Sequence, residues 1–178
     1  MKPAFKIRRI TEVEGLPDGM ESDVEIIRLE SSAQARRLRR GRKYGDLVHA
    51  LLAQAEYPAN RAGIEALATV HEIGSKMTAG EREAAIEVAV RTFSHPLVTA
   101  AFASERVHRE FPVTYETNGE LYEGVIDLTW FDGMRWNVLD YKTGPGDEPR
   151  YRRQVTIYGE ALRKVTGAPA RLVVLEIA

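Results

Sequence analysis

Asp127, Asp140 and Lys142, in the stretch GVIDLTWFDGMRWNVLDYKTG (Gly124–Gly144), have the types and spacing of a metal site. Two carboxylates within reach of one cation offer oxygen ligands to a hard divalent metal, Mg2+ or Mn2+, whereas zinc prefers histidine or cysteine. A lysine beside them can hold a water or stabilise charge developing on a phosphoryl oxygen. The same residues also suit an ordinary hairpin with solvated charges, and Asp-x-Lys by itself does not separate the two. The chain has no cysteine, which excludes disulfides, thiolate nucleophiles and cysteine-ligated metal centres together.

Two turns carry the geometry. Asn118-Gly119 and Asp132-Gly133 each read as a two-residue hairpin turn between strand-like segments. With both loops two residues long, Glu110 lies opposite Asp127 and Asp127 faces Val138. Asp140 and Lys142 then follow Val138 on the same face. Opposed residues have Cβ atoms about 5 Å apart and diagonal ones roughly 7–8 Å. Glu110, Asp127, Asp140 and Lys142 therefore share one face, where like charges oppose one another unless something positive sits between them. A single bulge would move this register.

Around these strands the spacing predicts helices. One runs from a cap at Ser31 or Ser32 toward Glu56, with Tyr44, Leu47, Val48, Leu51, Leu52 and Ala55 on its buried face. Gly41 and Gly45 are odd inside it. Either the helix begins near Gly41, or backbone passes close to something at Gly45. Further helices are expected over 61–75, from the Thr78-Ala79-Gly80-Glu81 start to about Phe93, and after Pro96. A charged loop, GPGDEPR, precedes a helix over about 151–165, and ARLVVLEI ends the chain as a strand. Helices, three antiparallel strands, a crossover helix and a strand make an α/β sandwich over a small mixed sheet. Residues 1–30 are expected to be an arm, an edge element or a linker remnant, and 31–178 the main domain.

With 178 residues, 44% hydrophobic and 29% charged, the composition is that of a soluble globular protein. No run of 18 apolar residues spans a membrane, and the start lacks the apolar core of a secretory signal. A reducing, cytoplasmic home is the expectation. The net charge of −1 gives no global nucleic-acid signal, yet Arg36, Arg37, Arg39, Arg40, Arg42 and Lys43 place six cations within eight residues. Such a run neutralises phosphates or forms a solvated helix face. No G-x-x-x-x-G-K-[ST] loop is present, so no ATP site is expected.

Taken together, the motifs resemble the RecB-type branch of the PD-(D/E)XK nuclease superfamily. The G-x-x-D pattern stands as Gly124–Asp127 and D-x-K as Asp140–Lys142. G-x-x-x-H is matched by Gly45–His49, Q-x-x-x-Y by Gln154–Tyr158, and the upstream acid by Glu110. The resemblance implies a restriction-endonuclease-like α/β core, a small mixed sheet flanked by helices, with an added N-terminal helical region. It implies Asp127, Asp140, His49 and the Tyr141 carbonyl as ligands of Mg2+ or Mn2+, with Glu110 binding metal directly or through water. Lys142 would position or polarise the attacking water. Gln154 and Tyr158 would line the site and touch DNA, and Arg150, Arg152 and Arg153 would hold phosphates with the basic run. The implied activity is metal-dependent exonucleolytic hydrolysis of DNA near the nucleoid, on single strands or unwound ends, as the nuclease domain in or beside a helicase motor in DNA repair and recombination. A stand-alone endonuclease and a non-catalytic DNA-binding module are the alternatives. His71, His95 and His108 match no motif and are read as structural or surface residues.

Overall fold

The computed structural model describes residues 6–16, 20, 23–29, 41–72, 77–144 and 146–177, with Glu72 described by its backbone alone. Its strands are β1 (Lys6–Arg9), β2 (Val24–Leu29), β3 (Val107–Thr117), β4 (Glu120–Phe131), β5 (Trp136–Lys142) and β6 (Ala170–Ile177). Its α-helices are α1 (Arg42–Gln54), α2 (Arg61–Glu72), α3 (Ala79–Phe93), α4 (Pro96–Phe102) and α5 (Glu148–Thr166). The fold is mixed α/β around a mixed six-stranded sheet in the order β1-β4-β5-β6-β2, with β3 on the other edge of β4. None of the described helices is long and apolar enough to cross a membrane.

Two compact units emerge. The first holds the described parts of Met1–Ile26, Ser104–Asp140 and Gly146–Val174, and the second those of Ile27–Ala103, Tyr141–Pro145 and Leu175–Ala178. In the first, α5 packs on the sheet through Val155, Ile157, Ala161 and Leu162, against Val113, Tyr122, Ile126, Val138, Leu172 and Val174. In the second, α1, α2 and α3 pack on one another through Leu47, Val48, Leu51, Ile64, Ala85 and Ala89.

Local chemistry sets most boundaries. Gly41 caps α1, so the later of the two predicted starts is the described one; 31–40 lie outside the described residues. Thr78 and Glu81 form a reciprocal capping box at α3, satisfying backbone donors that the helix start leaves over. Helix α5 begins three residues earlier than the spacing predicts. Asp147 accepts from the Arg150 N–H, and Pro149 sits in the first turn, where a missing N–H costs nothing. Of the first thirty residues, β1 pairs in parallel with the start of β4, Lys6 with Glu120.

Asn118-Gly119 is the expected tight turn, with φ of +50° and +73°, and it closes the Thr117–Glu120 pair. The second turn differs from expectation. Phe131 pairs with Trp136, so the loop is Asp132–Arg135 rather than Asp132-Gly133. The Asp132 carboxylate explains the wider loop: it accepts from the Met134 and Arg135 N–H groups at 3.0 and 2.9 Å and from Asn137 Nδ2 at 3.1 Å. An aspartate at this position closes a turn with its side chain, a competition that the Asp-Gly pair hides. The pairing moves by two residues, which preserves faces but changes partners: Thr129, not Asp127, faces Val138.

The hydrogen bond from Asn137, then those from the backbone, hold the Asp132 carboxyl at about 2, below its ordinary 3.8. The folded value is depressed, so the stabilisation is complete above pH about 4 and is lost as pH falls through about 2. Carboxyl NMR titration is expected to show this midpoint in the wild type, and Asp132→Asn is expected to flatten the acid limb of stability. A midpoint near 4 would contradict the loop geometry.

Candidate active site

Asp140 is buried within the sheet, 1% exposed, and α5 accounts for it. Gln154 donates from Nε2 to Asp140 Oδ1 at 2.9 Å and to the Tyr158 hydroxyl at 3.0 Å. Four residues apart on a helix, Gln154 and Tyr158 share one face, and both are buried. Burial raises the Tyr158 phenol far above its ordinary value, and the Asp140 and Asp127 carboxylates push it the same way. It stays a neutral hydroxyl, as a buried phenol beside two carboxylates must.

That joint influence agrees with the register. The β4–β5 ladder ends at the Leu128–Leu139 pair; the same count carried one step further would set Asp127 against Asp140, closer than the diagonal predicted from two tight turns. Gly124 has a related cause. A Cβ there would lie 2.7 Å from Tyr158 Cε1 and 3.1 Å from Ile10 Cδ1. The glycine lets the phenol lie against the β4 backbone three residues before Asp127.

Glu110 holds its counted place opposite Asp127 but departs from strand geometry. Its φ is +49°, and the β3–β4 ladder passes from Arg109–Leu128 to Phe111–Ile126 with no change of register. Ile126 shares the α5 core with Val138, whose partner is Thr129. Side-chain alternation along β4 therefore breaks between Ile126 and Thr129, where Asp127 stands. Glu110 itself is exposed.

Past Asp140 the chain enters the second unit. Tyr141 is buried, and the His49 ring meets it edge-on, with centroids 6.3 Å apart at 76°. A Cβ on Gly45 would sit 2.7 Å from Thr143 Oγ1, which supplies the close approach expected of that glycine. The G-x-x-x-H spacing thus sets one face of α1 against Tyr141 and Thr143. Lys142, two residues after Asp140, is half-buried.

Arg36, Arg37, Arg39 and Arg40 lie outside the described residues. Arg42 and Lys43 are exposed, and Arg42 stands 3.8 Å from Asp46. The arginines of α5 serve a purpose that the sequence reading missed. Arg150 Nε donates to the Thr11 carbonyl at 2.9 Å, Arg152 Nη1 to that of Val24 at 2.7 Å and Arg153 Nε to that of Val13 at 3.4 Å. They tie the N-terminal segment to α5; nothing in their spacing distinguishes such a tether from a phosphate contact. His71 contacts Gln54 at 3.0 Å, and His95 accepts from the Leu97 N–H at the start of α4.

Among the described residues, no three His, Asp or Glu side chains gather closely enough to hold an ion. The Asp127–Asp140 pair nonetheless fits Mg2+, which is commonly held by one or two carboxylates together with water and substrate phosphate. Residues 20–178 match the family model described as the PD-(D/E)XK nuclease superfamily. No curated protein matches the chain.

Gly124→Ala drives a methyl into the Tyr158 ring and is expected to cost about 1–3 kcal/mol. Gln154→Ala strips Asp140 of a buried donor, with an expected loss of about 1.5–3 kcal/mol. Urea unfolding measures both, and wild-type midpoints would contradict the packing described.

Proposed function

The chain belongs to the PD-(D/E)XK nuclease superfamily, and from that membership we propose that it is a divalent-metal-dependent deoxyribonuclease that hydrolyses phosphodiester bonds. The observation that carries this reading is that the Asp127 and Asp140 carboxylates both act on the Tyr158 phenol, with Gln154 holding one of them and Lys142 two residues along the same strand. When bound, Mg2+ or Mn2+ supplies positive charge that neutralises the phosphate and polarises its oxygens.

The side chains do the rest. Gln154 orients the Asp140 carboxylate, and Tyr158, kept neutral, receives the other half of that amide's donation. Lys142 offers an ammonium to the charge that builds on oxygen as water attacks in line. Glu110 is placed to hold a water beside Asp127, and its exposure in a left-handed backbone suits such a task more than a packing one. His49 and the Tyr141 carbonyl are the further ligands that the RecB-type resemblance implies. Gln154 and Tyr158 are buried, so positioning is assigned to them in place of DNA contact. Arg42 and Lys43, exposed at the start of α1, are assigned to phosphates. By the same resemblance, the substrate is single-stranded or unwound DNA delivered by a fused or associated helicase motor.

A second reading, a DNA-binding module without catalysis, is favoured by one observation: among the described residues, no three His, Asp or Glu side chains gather closely enough to hold an ion. Digestion of labelled single-stranded and duplex DNA with Mg2+ or Mn2+ decides between them. Asp127→Ala and Lys142→Ala are each expected to lower the rate by about 100-fold or more. Equal cutting by all three proteins overturns the assignment of Asp127 and Lys142, and DNA binding with no metal-dependent cutting supports the second reading.

A further inference from the structure

Beyond Val138, at the end of β5 away from Asp140, stands a group of side chains that the proposed reaction does not use. Phe131 pairs with Trp136 across β4 and β5, with ring centroids 5.6 Å apart. The His108 ring stacks near Trp136 at 6.3 Å and 28° and lies 5.1 Å from Phe111. The Arg106 guanidinium carbon is 5.4 Å from the Phe131 centroid. His108 and Arg106 are exposed and Phe131 and Trp136 half-buried. Met134, in the loop between these two rings, is 84% exposed.

The edge of a core explains the inner half of this cluster, since Phe111 and Trp136 pack against it. It does not explain an exposed imidazole stacked on an indole with a guanidinium over the neighbouring ring. Every base has a π-face, so a shelf of rings takes unpaired bases whatever their sequence, and nearby cations meet the phosphates. The protein's net charge of −1 supplies no general attraction for DNA, so affinity has to come from such local chemistry. His108 precedes Glu110 by two residues on β3, and its partner Thr129 follows Asp127 by two on β4. Each interval is about 7 Å, so His108 stands one such step from Glu110, while Trp136 lies four residues from Asp140 along β5.

We propose that His108, Phe131 and Trp136, with Arg106, form a stacking shelf for the unpaired bases of single-stranded DNA at the loop end of the β4–β5 pair, along the strands from Asp127 and Asp140. The proposal rests on the DNA reading above and adds the side chains that hold the unpaired bases. Duplex DNA keeps its bases stacked on one another and leaves the shelf unused.

The test is fluorescence anisotropy of labelled oligo-dT and of a duplex of equal length, in EDTA so that nothing is cut. The wild type is compared with His108→Ala, Arg106→Ala and the double variant, whose sites are exposed; circular dichroism checks the fold. The double variant is expected to lose about tenfold in oligo-dT affinity and less than about twofold for the duplex. Of the two tryptophans, Trp130 is 3% exposed, so quenching by oligo-dT reports Trp136 and is expected to follow binding. Unchanged oligo-dT affinity, or equal losses for both DNAs, overturns the shelf. Digestion with Mg2+ is run in parallel. Cutting by variants that bind oligo-dT normally removes the shelf and keeps the nuclease reading. Shelf-dependent binding by a protein that never cuts keeps the shelf and removes that reading.

Discussion

One amide organises the candidate site. Gln154 donates to Asp140 and to Tyr158 from a single nitrogen, and both acceptors are almost fully buried. A carboxylate taken out of water is costly unless hydrogen bonds replace its solvation. The helix supplies that replacement four residues from the phenol, which in turn requires Gly124 to be bare. Three short patterns scattered over 35 residues, G-x-x-D, D-x-K and Q-x-x-x-Y, are thus parts of one packed contact. The second unit has a smaller counterpart, in which Gly45 yields space to Thr143 and His49 abuts Tyr141.

Much of this was legible because the signals were local. The Asn-Gly turn sets the β3–β4 register without help from the rest of the chain, and Thr78 with Glu81 announces the start of α3. Widening the second loop by two residues keeps the parity of the β4–β5 count, so Thr129 faces Val138 where Asp127 was expected to. The match over residues 20–178 shows the superfamily that the motifs pointed to; the narrower RecB-type assignment remains a proposal.

What escaped the sequence depends on competition or on distance. Asp132 prefers to bond its own loop, which lengthens the turn and moves the β4–β5 pairing by two residues. Glu110 keeps its register while its backbone turns left-handed, a change that no periodicity records. Arg150, Arg152 and Arg153 bond carbonyls more than 120 residues away in the chain, and an arginine so engaged looks in sequence like one awaiting phosphate. Gln154 and Tyr158, expected to touch DNA, are buried, and Gln154 donates to the Asp140 carboxylate and the Tyr158 hydroxyl. His108 was set aside for want of a motif, although strand pairing gives it an aromatic neighbourhood.

The central claim is that Asp127 and Asp140 act together on one divalent cation. Isothermal titration of the full chain with Mn2+ tests it most directly, comparing the wild type with Asp127→Asn and Asp140→Asn. The account predicts saturable binding in the wild type that either substitution abolishes, with the fold intact by circular dichroism. Binding that survives both substitutions, or a wild type that takes up no Mn2+, would contradict it.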